Sequence, residues 1–164
     1  MPTPVLGTLA SGQKVIGRRN CHLHAGVKEL LPEVLSQVSG DDQFVKQAVD
    51  LCRIVGLSNC VETTENDQIV FAQRVARSGL SRFALNRECE KTSQVTVVVQ
   101  FSPSDRCYVM ATAYCGPLAE LEPWSPRVRK GKDRLKSYTF WGKHALVWGS
   151  EPIIPKTITN KYPW

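Results

Sequence analysis

No apolar run in the chain approaches the roughly 20 residues that a membrane-spanning helix needs, so no membrane partner is expected. The six cysteines, Cys21, Cys52, Cys60, Cys89, Cys107 and Cys115, contain no Cys-x-x-Cys pair, and none of the five asparagines opens a glycosylation sequon. A chain of 164 residues buries roughly 70% of its unfolded surface and needs no disulfide scaffold. Reduced thiols and a cytoplasmic address are therefore expected. No phosphate-loop pattern, dinucleotide glycine fingerprint or nucleophile elbow occurs, so no cofactor is expected. Histidine is scarce. Cys21, His22 and His24 could ligate a metal, but the only other histidine is His144 and no second ligand pair follows, so no metal site is expected.

The N-terminus lacks a positive cluster followed by an apolar stretch, which argues against a secretory signal. Its first 28 residues hold Lys14, Arg18, Arg19 and Lys28 and no acid, which leaves a mitochondrial address as the alternative.

Charge is unevenly placed. Residues 1–126 carry 12 basic and 13 acidic side chains, whereas residues 127–164 carry 9 basic and 2 acidic. A near-neutral body with a basic C-terminal quarter points to polyanions.

Three stretches read as helices. Val27, Leu30, Leu31, Val34, Leu35 and Val38 recur at helical spacing, with Pro32 marking the first turn. A second helix is predicted after Asp41 and Asp42 and ends at Gly56, and a third runs from about Asp67 to Ser78, opened by Thr64-Glu-Asn-Asp67. A strand through IVFA (69–72) is the competing reading of the third, because four apolar residues in a row fix no period.

QVTVVVQF (94–101) and CYVMATAYC (107–115), joined by SPSDR, form the strongest hairpin signal. SRFAL and HALVW add strands, and the proline-rich, basic link between Gly116 and Ser137 reads as a surface excursion. The whole is predicted to be α+β, with two or three helices on one face of a small, mainly antiparallel sheet. Residues 1–25 are expected to be an N-terminal extension and 26–164 a single domain.

Candidate sites follow from residue chemistry. Arg127, Arg129, Lys130, Lys132, Arg134 and Lys136, followed by Trp141, combine cations for phosphates with a ring for stacking on bases. The alternative is a solvated loop. His144 beside Lys143 could move protons as a ribonuclease requires, or could simply be hydrogen-bonded at a strand end. Arg74, Arg77, Ser81 and Arg82 could clamp an anion, or could pair with nearby acids.

ENDQIVFAQRVARSGLSRF (65–83) and FWGKHALVWGSEPIIP (140–155), with VTVVVQF and YVMATAYCGPLAELEPW between them, resemble a conserved family known only as a domain of unknown function. The similarity covers about residues 40–164. It implies one compact domain with no established activity, no catalytic residues to carry over, and a tail that belongs to the fold.

Residues and resemblance together lead to the expectation of a ligand-binding domain for RNA, single-stranded DNA or a nucleotide. A ribonuclease-type enzyme using His144, Lys143, Arg74 and Arg82 is one alternative. A protein-interaction module anchored by tryptophans is another. The site is expected where Trp141, Lys143, His144 and the basic loop meet the 74–82 segment.

Overall fold

The structure, a computed structural model, describes residues 2–128 and 131–164. In chain order its elements are β1 (Val5–Thr8), β2 (Lys14–Leu23), α1 (Leu31–Leu35), β3 (Phe44–Asp50), β4 (Gly56–Ser58), β5 (Cys60–Glu62), β6 (Ile69–Gln73), β7 (Leu80–Ala84), β8 (Glu90–Thr92), β9 (Gln94–Ser102), β10 (Cys107–Cys115), α2 (Lys132–Lys143) and β11 (His144–Val147). The architecture is α+β, as predicted. The chain divides into two units: one holds the residues up to Leu57 with Lys91–Leu118, the other Ser58–Glu90 with Ala119–Trp164. The short strands β4 and β8 pair with each other.

The first unit is a five-stranded sheet in the order β1-β2-β10-β9-β3. Its pairs are antiparallel except β2–β10, which is parallel. The predicted β9–β10 hairpin is present. Alternation places Val95, Val97 and Val99 of β9 beside Tyr108, Met110 and Ala113 of β10 in one core with Leu31, Val34 and Leu35 of α1. Each of these larger side chains contributes roughly 1.5–3 kcal/mol by leaving water. The register breaks after Met110: Met110 pairs with Gly17, but Thr112 pairs with His22, so four residues of β2 bow out opposite Ala111. Residues 1–25, expected as an extension, contain β1 and β2, and β2 pairs with the unit's central strand β10.

The first predicted helix shortens to α1, with Pro32 in its first turn, preceded by a 3-10 turn at Lys28–Leu30. The second predicted helix is instead strand β3. Seven of its residues pair without interruption along β9, from Phe44↔Gln100 to Asp50↔Gln94. Val45 and Val49 are four apart, a spacing that satisfies a helix face and also a strand face through Gln47. Asp50 then stops the strand by accepting the Cys52 N–H at 2.8 Å, and Cys52 turns at φ 57°.

The second unit is a four-stranded sheet in the order β5-β11-β7-β6. β11 is antiparallel to β5 and parallel to β7, while β6 and β7 form an antiparallel pair. HALV is therefore a strand, as predicted. The third predicted helix is corrected to β6, the competing reading. Phe71 and Ala72 are both buried although they point to opposite faces, which a strand covered on both sides requires. The contact expected to cap a helix closes a turn instead: Asp67 accepts the Thr64 N–H at 2.7 Å. Ala76, at φ 62°, reverses the chain into β7.

The proline-rich tail runs along the free edge of β6. Ile154 donates to the Gln73 carbonyl at 2.8 Å, and Phe71 and Thr159 exchange hydrogen bonds of 2.7 and 2.8 Å. Tyr162 and Trp164 then meet the Phe71 ring edge-on, with centroids 5.4 and 5.3 Å away. Among the described residues no helix is long and apolar enough to cross a membrane.

Candidate nucleic-acid interface

The basic link does not stay irregular: from Lys132 it is the helix α2, a correction to the predicted excursion. One side of α2 is anchored. Trp141 is 3% exposed and donates its indole N–H to the Glu120 carbonyl at 2.8 Å, and Ser137 donates to the Leu121 carbonyl at 2.6 Å. With Ala72, Phe83 and Leu146, Trp141 makes the core of this unit. Trp141 therefore gives no exposed face for stacking, contrary to its predicted role.

The opposite side of α2 is basic. Lys132, Lys136, Thr139 and Lys143 follow one another at steps of four, three and four residues, and all are exposed. Such steps keep side chains on a single line of a 3.6-residue helix. The line spans about 16 Å at 1.5 Å per residue. None of these three lysines enters an ion pair among the described residues. Arg134 lies off the line, 5.1 Å over the Tyr138 ring, and donates to its hydroxyl at 3.1 Å. Arg127 is exposed just upstream, and Arg129 and Lys130 lie outside the described residues.

The expected anion clamp is occupied by the protein itself. Arg74 binds Glu122 by one terminal nitrogen and Glu151 by the other at 2.7 Å, while its Nε donates to Ser81 Oγ at 3.1 Å. Burial works against the Arg74 charge, but the Glu122 and Glu151 carboxylates outweigh it and hold the guanidinium above its ordinary range. Glu122 is 7% exposed, and its other oxygen has no hydrogen-bond partner among the described residues. Arg77 sits in the β6–β7 turn and donates to the Ala76 carbonyl at 3.3 Å.

Arg82 is on the other face of the sheet. It pairs with Phe71 across β6–β7, whereas Ser81 pairs with Ala72. Its Nη1 donates to Thr63 Oγ1 at 2.8 Å and to the His144 carbonyl at 3.0 Å. Burial lowers the Arg82 pKa from its ordinary value. The His144 ring takes no part in that contact. Its planes lie 3° from those of Phe140 with centroids 4.0 Å apart, and Nδ1 meets the Phe140 carbonyl at 2.9 Å. The predicted rim is thus not assembled. Arg74 and Arg82 are on opposite faces, and only the backbone of His144 joins Arg82.

In the first unit, a cavity of about 420 Å³ opens where β2 bows out, lined by Arg18, Asn20, Gln100 and Val109 among others. Its cation is already paired, since Arg18 bonds to Asp105. Among the described residues no three His, Cys, Asp or Glu side chains gather as metal ligands.

Sequence reasoning missed Glu122 and Glu151, for which no local pattern exists. It named Lys132, Lys136 and Lys143 but read the basic stretch as a loop, so their alignment on one helix face was not seen.

No protein-family model matches the chain, and no curated protein matches it. It is similar in fold to the crystal structure of a conserved hypothetical protein from Toxoplasma gondii ME49, with a TM-score of 0.51 over 77% of this chain and 86% of that one, at 10% identity. At that identity the likeness concerns the fold.

Proposed function

We propose that this protein binds RNA through the phosphate backbone, using the exposed side of α2. The observation that carries this reading is the line of Lys132, Lys136 and Lys143, three cations on one helix face with no carboxylate partner among the described residues. Lysines so placed release the counterions condensed on a nucleic acid when they meet its phosphates. The six basic residues of 127–136 extend the same field along the chain.

The ribonuclease reading has less support. A general base needs a free ring nitrogen aimed at substrate with a cation near the phosphate. Here the imidazole is stacked on Phe140, and Arg74 is saturated by two carboxylates. The tryptophan-anchored module has less support as well, since Trp141 is core and Trp164 packs on Phe71.

Fluorescence polarisation with labelled RNA at several salt concentrations tests the reading. The wild type is expected to bind with an affinity that falls steeply with salt. The Lys132→Ala/Lys136→Ala/Lys143→Ala variant should lose most of that affinity and most of the salt slope. His144→Ala should bind as the wild type does, with no cleaved product on a gel in either case. Equal binding by the wild type and the triple-lysine variant would remove α2 as the interface.

A further inference from the structure

Resting on the reading of α2 as a phosphate-binding face, we infer that the preferred ligand is double-helical RNA, recognised by shape and charge, rather than a single strand. Proteins that hold single strands combine cations with exposed aromatic faces on which the unstacked bases lie. The residues around α2 have the rings but hold them wholly or partly against the protein. Trp141 is buried with its indole N–H on the Glu120 carbonyl. Phe140 is covered on one face by His144 and met edge-on by Trp141. Tyr138 is capped by the Arg134 guanidinium. Among the described residues Trp141 is buried and Phe140 and Tyr138 each have one face taken, while the exposed residues of α2 beside the line are Asp133, Arg134, Leu135 and Gly142.

What the line does offer is a row of point charges rooted at fixed intervals along a helix. Held on a helix, Lys132, Lys136 and Lys143 keep a fixed spacing that a flexible single strand must be ordered to match, at an entropic cost. A duplex presents its phosphates already ordered and on two strands, which in DNA amounts to about one charge per 1.7 Å of axis. About 16 Å of such a duplex carries roughly nine phosphates at the DNA spacing, and the line meets those on the side that faces it. The line carries no Asn or Gln to read adenine edges, and its lysines meet phosphates as point charges, so recognition independent of sequence is expected. Double-stranded RNA, whose deep groove hides the base edges, is recognised by this kind of contact.

The test is a competition between a fluorescent RNA duplex of about 16 base pairs and a uridine homopolymer of the same length, which forms no helix. The duplex is expected to bind at least tenfold more tightly. Three phosphate contacts weaken its binding about forty-fold between 50 and 200 mM salt. Two duplexes of unrelated sequence should bind alike, and the triple-lysine variant should lose its preference for duplex. Equal or tighter binding of the homopolymer overturns this inference and leaves the parent reading standing. Failure of both probes at low salt removes the parent reading too. A duplex preference that survives in the triple-lysine variant, with its circular dichroism unchanged, also overturns the inference, because the preference would then arise elsewhere.

Discussion

Arg74 shows how a residue that resembles a ligand-binding group can serve the fold instead. Two carboxylates share its guanidinium, so Arg74→Ala leaves Glu122 and Glu151 without their cation in a site from which water is largely excluded. Removing one partner of a buried pair costs about 3–5 kcal/mol, and chemical denaturation should register a loss of that size. Arg82→Ala, which breaks only neutral acceptor contacts to Thr63 and His144, should cost clearly less. The role of Arg74 was not legible beforehand because its partners are 48 and 77 residues away. No short window contains them.

Cys60 gives a second residue-scale expectation. Burial, reinforced by the Glu122 and Glu90 charges, pushes its thiol up to about 12. Iodoacetamide at neutral pH should modify the exposed Cys52 and leave Cys60 intact, as peptide mass spectrometry would reveal. Asp67 is held below its ordinary value chiefly by the Thr64 N–H, with Arg87 adding to the effect. A lowered carboxylate stabilises the fold above the unfolded value of about pH 4, and this contribution disappears as pH falls through the folded value. Asp67→Asn should therefore unfold at lower temperature than the wild type near pH 7, and the gap should close in acid.

Among the elements, those rich in β-branched and aromatic residues were legible, and those whose apolar spacing also satisfies a helix were not. β9 and β10 were legible from their β-branched and aromatic residues: β10 turns Tyr108, Met110 and Ala113 to the core, while β9 is buried on both faces from Val95 to Val99. β6 carries a continuous apolar run because Ala72 packs in the core with Trp141 while Phe71 packs under Tyr162 and Trp164, and such a run reads as readily as a helix. The α2 region was obscured by composition, since prolines and glycines crowd the stretch before it.

The turn between β6 and β7 carries a close fit that no pattern announces. A Cβ on Gly79 would lie 2.1 Å from Trp124 Cβ, far inside contact distance. Gly79→Ala should force the segment bearing Trp124 away and cost about 1–3 kcal/mol. The accompanying loss of order at Trp124 should appear as a shift in near-ultraviolet circular dichroism.

For the whole molecule, the central fact is that neither unit is a continuous piece of chain. Ser58–Glu90 depends on Ala119–Trp164 for β11 and for the tail that pairs with β6. A fragment ending at Leu118 therefore keeps the strands of the first sheet but leaves the β6–β7 pair without β11 and without the tail along β6. Limited proteolysis of that fragment should cut within 58–90 at protease levels that spare the intact chain. The predicted division into an N-terminal extension and one domain could not anticipate this, because the hydrophobic patterns of the two units alternate along the sequence without any change of composition at Leu57 or Glu90.

The placement of the indoles has a practical corollary. Trp124, Trp141, Trp148 and Trp164 all belong to the second unit, whereas the first has only tyrosine and phenylalanine rings. Red-edge excitation therefore lights one unit and leaves the other dark. Emission followed alongside far-ultraviolet dichroism would separate the melting of the two without any dye, and a quencher such as acrylamide would sample the second unit alone.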